Sequence, residues 1–116
     1  MMAPTSTREP FEMVPLTNTR SRSKPRKTGP TMMRDWGLPL GQQRDWLELL
    51  APSGDLVKFV VGTARLYEED YLKRKIELYK SHDVHPFIGG QFVEYVYATQ
   101  GLAAAGPFFE EARRLG

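Results

Sequence analysis

Apolar and polar positions fall in blocks along the chain, and the period changes from block to block. From Asp55 to Gly62, D-L-V-K-F-V-V-G sets Leu56, Val57, Phe59, Val60 and Val61 in one run. Val57, Phe59, Val60 and Val61 supply β propensity, which predicts a strand. It is apolar on both faces, as expected of a parallel strand covered by helices. From Glu68 to Lys80 the period becomes helical: Leu72, Ile76 and Tyr79 share a face, with Leu78 on its flank. Three acids open that segment and Lys80 closes it, which suits the helix dipole. Glu69–Lys73, Asp70–Arg74 and Lys73–Glu77 stand at i,i+4 spacing for ion pairs.

The remaining segments extend the same alternation. T-G-P-T-M-M-R-D, Thr28 to Asp35, predicts a strand, and Trp36 to Gly41 a loop. Gln42 to Leu50 predicts a helix stopped by Pro52 and Gly54. Val84 to Gly90 predicts a third strand, although Pro86 donates no ladder hydrogen bond. Helices follow over Gln91–Gln100 and Gly106–Gly116, the latter with Pro107 near its first turn and Gly116 as its C′ residue. Strand and helix alternate three times, which implies a parallel sheet with right-handed crossovers.

No G-x-G-x-x-G follows the first strand, and no P-loop is present. Polar residues gather at each strand's C-terminal end, as in a (β/α)8 barrel. A complete barrel takes about 250 residues, and the pattern calls for a further strand after Gly116. The expected fold is therefore α/β: an incomplete (β/α)8 TIM barrel of about three N-terminal βα units over residues 28–116. A small open α/β domain complete in itself is the rival reading.

Residues 1–27 are rich in Pro, Ser, Thr and Arg without sustained periodicity and are expected to be a disordered basic tail. Ser21 to Lys27, S-R-S-K-P-R-K, reads as a solvated linker or as a weak nuclear-targeting or anion-binding patch. The tail also explains the charge. Residues 1–30 hold six Lys or Arg and two Glu, a net of +4, whereas residues 31–116 hold ten Lys or Arg and twelve Asp or Glu, a net of −2. A nucleic-acid-binding body is not indicated. Cysteine is absent, which excludes disulfides and thiolate chemistry. No apolar run approaches a membrane span, and without a signal-peptide pattern the protein is expected in the cytoplasm.

Three strand ends carry candidate chemistry: Arg34-Asp35, then Lys58 with Gly62-Thr63, then Gly89-Gly90 followed by Glu94. In a barrel these ends converge on one mouth. They suggest binding of a small anionic substrate, with a divalent metal as a further candidate. Lys58 shares a strand face with Leu56 and Val60. If that face points inward, its charge needs an anionic partner: Asp35, Glu94, or a substrate phosphate or carboxylate. It also reads as an edge or snorkelling lysine. Gly62-Thr63 and Gly89-Gly90 allow backbone N–H groups to approach an oxyanion, or are plain turn glycines. Asp35 is a metal-ligand or orienting candidate, or a capping aspartate. Glu94 faces the mouth, or is an N-terminal-turn acid. His82 and His85 lack a third ligand nearby for a metal pair.

K-T-G-P-T-M-M-R-D-W-G-L, K-F-V-V-G-T-A-R-L-Y, L-K-R-K-I-E-L-Y-K and I-G-G-Q-F-V-E-Y, in this order and spacing, resemble the phosphosulfolactate synthase family, which includes plant heat-stress-associated relatives. The resemblance runs from about Lys24 to Gly116. It implies an aldolase-like (β/α)8 barrel and the Mg2+-dependent addition of sulfite to phosphoenolpyruvate, a step towards coenzyme M. It further implies catalytic roles for Lys58, Asp35 and Glu94, and substrate contacts from Gly62, Thr63, Gly89 and Gly90, to which the strand-end position adds Arg34 as a substrate-binding candidate. A homo-oligomer of the complete protein is compatible with it. The family carries Gly-Trp where this chain has Val60-Val61, and Pro-Gly-Gly-Thr where it has Ile88-Gly89-Gly90-Gln91, so the mouth is altered. A non-enzymatic relative with a stress-related or interaction role is the alternative.

Overall fold

A computed structural model describes residues 8–15 and 24–116. Three parallel strands form one sheet in the order β1 (Met32–Asp35), β2 (Leu56–Phe59), β3 (His85–Ile88). Between them run α1 (Leu40–Leu50) and α2 (Glu69–Lys80), and after β3 come α3 (Gly90–Gln100) and α4 (Ala105–Leu115). The chain is thus α/β with a parallel sheet, as the alternation predicts.

The strands are shorter than expected, for local reasons. β1 starts only at Met32, because Gly29 takes φ +64° and Pro30 has no N–H to donate. β2 stops at Phe59, because Val61 and Gly62 both turn to positive φ, +53° and +75°. β-branched residues rarely adopt that region, so the chain is forced sharply out of the sheet at Val61.

One face of the sheet is covered. Val57 and Phe59 pack with Leu47 and Ala51 from the α1 side and with Leu72, Ile76 and Tyr79 from α2, and Val84 completes this core. The Phe59 and Tyr79 rings meet edge-on at 6.0 Å. The opposite face is open: Leu56 and Lys58 are half-buried, and Met32, Arg34, His85 and Phe87 are exposed. The expectation that helices cover both faces of β2 is corrected here. Among the described residues they cover one, and Leu56 on the other is half-buried.

On α2, Glu69–Lys73 forms at 3.5 Å. Arg74 lies over the Tyr71 ring instead of pairing with Asp70, and Glu69 also reaches Arg114, which is held by Glu111 on α4.

The segment just before β1 is tied down at the strand-start end of the sheet. Arg26 Nη1 pairs with Asp55 Oδ1 at 2.5 Å, and Arg26 Nη2 donates to Pro52 O. Lys24 Nζ donates to Asp83 O and His82 O. Asp55 Oδ2 accepts Thr31 N–H at 2.7 Å. Lys24 and Arg26 thus bond to carbonyls of the body, and Arg26 also neutralises the Asp55 carboxylate. Of the S-R-S-K-P-R-K patch, Ser21–Ser23 lie outside the described residues. Among the described residues no helix is long and apolar enough to cross a membrane.

Candidate functional site

Arg34 of β1 and Lys58 of β2 are register partners, and Lys58 is in turn the partner of Phe87 on β3. Strand alternation places all three on the open face. Strands lie about 4.8 Å apart, so two cationic residues stem from neighbouring backbone positions near the C-terminal ends of adjacent strands. Among the described residues neither forms an ion pair. The Arg34 guanidinium sits 5.9 Å from the centre of the Trp36 ring. A groove of ≈ 460 Å³ continues from there past Trp36, Leu38, Trp46 and Leu49.

The stem of Lys58 runs across Gly89. A Cβ on residue 89 would lie 2.9 Å from Lys58 Cδ and 3.1 Å from Cγ. Glycine leaves room here for the lysine stem and is not required for backbone freedom, since Gly89 has φ −69°. Its N–H donates to Phe59 O at 3.2 Å, and Thr63 N–H donates to Val60 O at 3.0 Å. These two amides are committed to the backbone and are not free for an oxyanion. Gly62 holds the left-handed turn and packs against Phe92, while Gly90 opens α3. Thr63 Oγ1 and the Tyr67 hydroxyl are buried without a hydrogen-bond partner. Burial, with the Asp35 charge behind it, pushes the Tyr67 phenol up to about 12.

Asp35 does not join Lys58. It follows Arg34 in the strand, so its side chain points to the helix-covered face, where it is fully buried. Its Oδ1 accepts the N–H groups of Gly37 (2.8 Å) and Leu38 (2.9 Å). Its Oδ2 accepts the Tyr79 hydroxyl at 2.5 Å and lies 2.9 Å from Lys75 Nζ. Lys75 is also fully buried. Its ammonium donates to Leu38 O and to Gln43 Oε1 (2.8 Å), and Gln43 Nε2 returns a bond to Lys75 O at 2.9 Å. Burial alone would raise the Asp35 carboxyl, but the bonds from Tyr79, the two amides and Lys75 outweigh it and hold the group below the usual carboxylate range. Burial, and then the bond to Asp35, push the Tyr79 phenol far up, so it stays a donor.

Glu94 is exposed on α3 and forms no ion pair with Lys58. The structure therefore sets Arg34 in register with Lys58, lays the Lys58 stem against Gly89, gives Glu94 no ion pair with Lys58 among the described residues, and turns Asp35 away from the open face. A cavity of ≈ 420 Å³ under α4, lined by Phe59, Ile76, Pro86, Ile88, Phe108 and Leu115 among others, is mostly apolar and lies towards the helices.

The described residues do not fit Mg2+ on their own. Mg2+ asks for several converging oxygens. Among the described residues no three carboxylates or imidazoles converge. The four acceptor positions of Asp35 are taken, one of them by a cation.

Reading the sequence missed Lys75, Gln43 and Tyr79 as one buried polar network. The signal is there for Lys75: it stands three residues after Leu72 and four before Tyr79, on the core face of α2. A lysine at such a position must have a buried partner.

A model of the family described as (2R)-phospho-3-sulfolactate synthase (ComA) matches residues 19–116. The phosphosulfolactate synthase of Methanothermobacter thermautotrophicus is 39% identical over 101 residues, covering 87% of this chain and 38% of that protein. That of Methanocaldococcus jannaschii is 33% identical over 88 residues, covering 76% and 34%. That of Bacillus subtilis is 38% identical over 72 residues, covering 62% and 28%. The chain thus spans between about a quarter and two fifths of the length of these curated relatives. The match runs through β1, the Lys58 strand, α2 and the Gly89-Gly90 turn, and the chain belongs to the (2R)-phospho-3-sulfolactate synthase family.

Proposed function

We propose that the chain forms the opening βα units of a phosphosulfolactate synthase-type (β/α)8 barrel, and that Arg34 and Lys58 hold a phosphoenolpyruvate-like anion at its mouth. One observation carries this reading: two cations without acidic partners stand in register near the C-terminal ends of adjacent parallel strands. Barrel enzymes place their substrates at those ends, and two uncompensated cations there favour a small anion with two charged groups. The names of the three relatives agree with that substrate class.

In the reaction the resemblance implies, sulfite adds to the methylene carbon of phosphoenolpyruvate, negative charge develops on the carboxylate side, and C2 takes up a proton. Arg34 and Lys58 neutralise the phosphate and the carboxylate and stabilise the enolate charge as it grows. Asp35 acts from behind the sheet by holding the turn after Arg34. The proton donor and the further mouth residues come from the barrel units that follow these in the family, with Glu94 at their border. On this reading residues 1–116 alone bind the anion without turnover.

Phosphorus NMR of phosphoenolpyruvate, with sulfite and Mg2+ present, tests this. Residues 1–116 should perturb the phosphoenolpyruvate resonance and yield no phosphosulfolactate, and Lys58→Ala should remove the perturbation. An unperturbed resonance with the parent protein would overturn the anion site. Turnover by residues 1–116 would overturn the need for further barrel units.

A further inference from the structure

We infer that Lys75 is a positioning residue for the Arg34–Lys58 site: from inside α2 it holds the turn that follows Arg34 and carries Trp36. The inference rests on reading that cation pair as an anion site.

A lysine whose side chain is wholly buried is a costly choice. Hydrophobic residues of similar volume often serve stability as well or better. What an apolar residue cannot do is grip three separate pieces of chain at once. Lys75 Nζ reaches Asp35 Oδ2 at the end of β1, Leu38 O in the turn, and Gln43 Oε1 on α1. Asp35 in turn holds the Gly37 and Leu38 N–H groups. Both the donor and the acceptor of Leu38 are therefore fixed by one buried ion pair. Gly37, at φ +113°, lets the chain turn tightly between them.

Arg34 and Trp36 flank Asp35 in sequence, and their 5.9 Å cation–π contact depends on where that turn directs Trp36. Lys75 also balances the charge of Asp35. Without it, an uncompensated carboxylate would sit just behind two cations that need to remain available to an anion.

The test is phosphoenolpyruvate affinity, by calorimetric titration, together with amide exchange at Gly37 and Leu38. The proteins compared are the parent, Lys75→Met, Tyr79→Phe, Arg34→Ala and Leu72→Ala. Leu72 lies in the core on the same helix without a bond to the turn, so Leu72→Ala lowers stability without touching the device. Lys75→Met should bind phosphoenolpyruvate several-fold more weakly and exchange faster at both amides, while Leu72→Ala binds like the parent despite melting earlier. Parental affinity in Lys75→Met, or equal losses in Lys75→Met and Leu72→Ala, would overturn the inference. Should Lys75→Met fail to fold, Tyr79→Phe decides: it removes one donor to Asp35 and no charge, and weaker binding supports the inference while parental binding overturns it. Binding by the parent that Arg34→Ala leaves unchanged marks a different failure. It would sink the anion-site reading, and the positioning role with it.

Discussion

Lys75 Nζ and Asp35 Oδ2 lie 2.9 Å apart, and neither side chain reaches solvent. Removing one member of such a pair leaves an uncompensated buried charge, which costs about 3–5 kcal/mol. Asp35→Ala should therefore lower unfolding free energy by that order in urea. The double change Asp35→Leu with Lys75→Met should cost less than the sum of the single changes, since it leaves no lone charge. Additive losses would mean the pair is not coupled.

Acid should weaken the fold through Asp35. Its folded carboxyl is depressed below the unfolded value, which lies near 3.9. A depressed acid contributes stability that is fully present above the unfolded value and is lost as pH falls through the folded one. Melting temperature should thus decline from about pH 5 downwards. Asp35→Asn should start from a lower plateau and decline less steeply. Asp55 is shifted in the same direction: burial is the largest single effect and opposes the shift, but the bonds from Thr31 and Arg26 together with the nearby cations outweigh it, so some acid sensitivity remains in that variant. An unchanged acid slope in Asp35→Asn would exclude Asp35 as a source.

The Arg26–Asp55 pair closes the strand-start end with side chains only 6% and 12% exposed. Charged hydrogen bonds of this kind contribute about 1.5–3 kcal/mol. Arg26→Ala should lose roughly that amount and raise amide exchange in the turns around Pro52 and Asp83. Exchange confined to residues before Thr31 would show that the segment is not a brace.

Gly89→Ala addresses Lys58 without touching its charge. The added methyl would meet Cδ and Cγ of the lysine stem and come within 3.4 Å of Phe59 O. The stem can move aside, so the stability loss should be small. The ammonium must move with it, so anion affinity should fall. Parental affinity with normal stability would show that the position of Lys58 does not matter to binding.

Much of this architecture can be read from periodicity. The three strands, the helix around Leu72 and Ile76, and the oddity of Lys58 inside an apolar run all follow from side-chain spacing. Two things do not. Strand ends depend on φ at single residues, and nothing about Val61 announces +53°. The role of Asp35 depends on a lysine 40 positions away. In E-E-D-Y-L-K-R-K-I-E that lysine looks like one more solvated charge, and only its place between Leu72 and Tyr79 marks it as buried.

Calorimetric titration of phosphoenolpyruvate into the parent protein, Arg34→Ala, Lys58→Ala and the double variant tests the central claim most directly. Each single loss should weaken binding by about 10-fold or more, as for charged hydrogen bonds to an anion, and the double variant should bind no measurable ligand. Equal affinity in the parent protein and Lys58→Ala would contradict the assignment of this open strand face as the anion site.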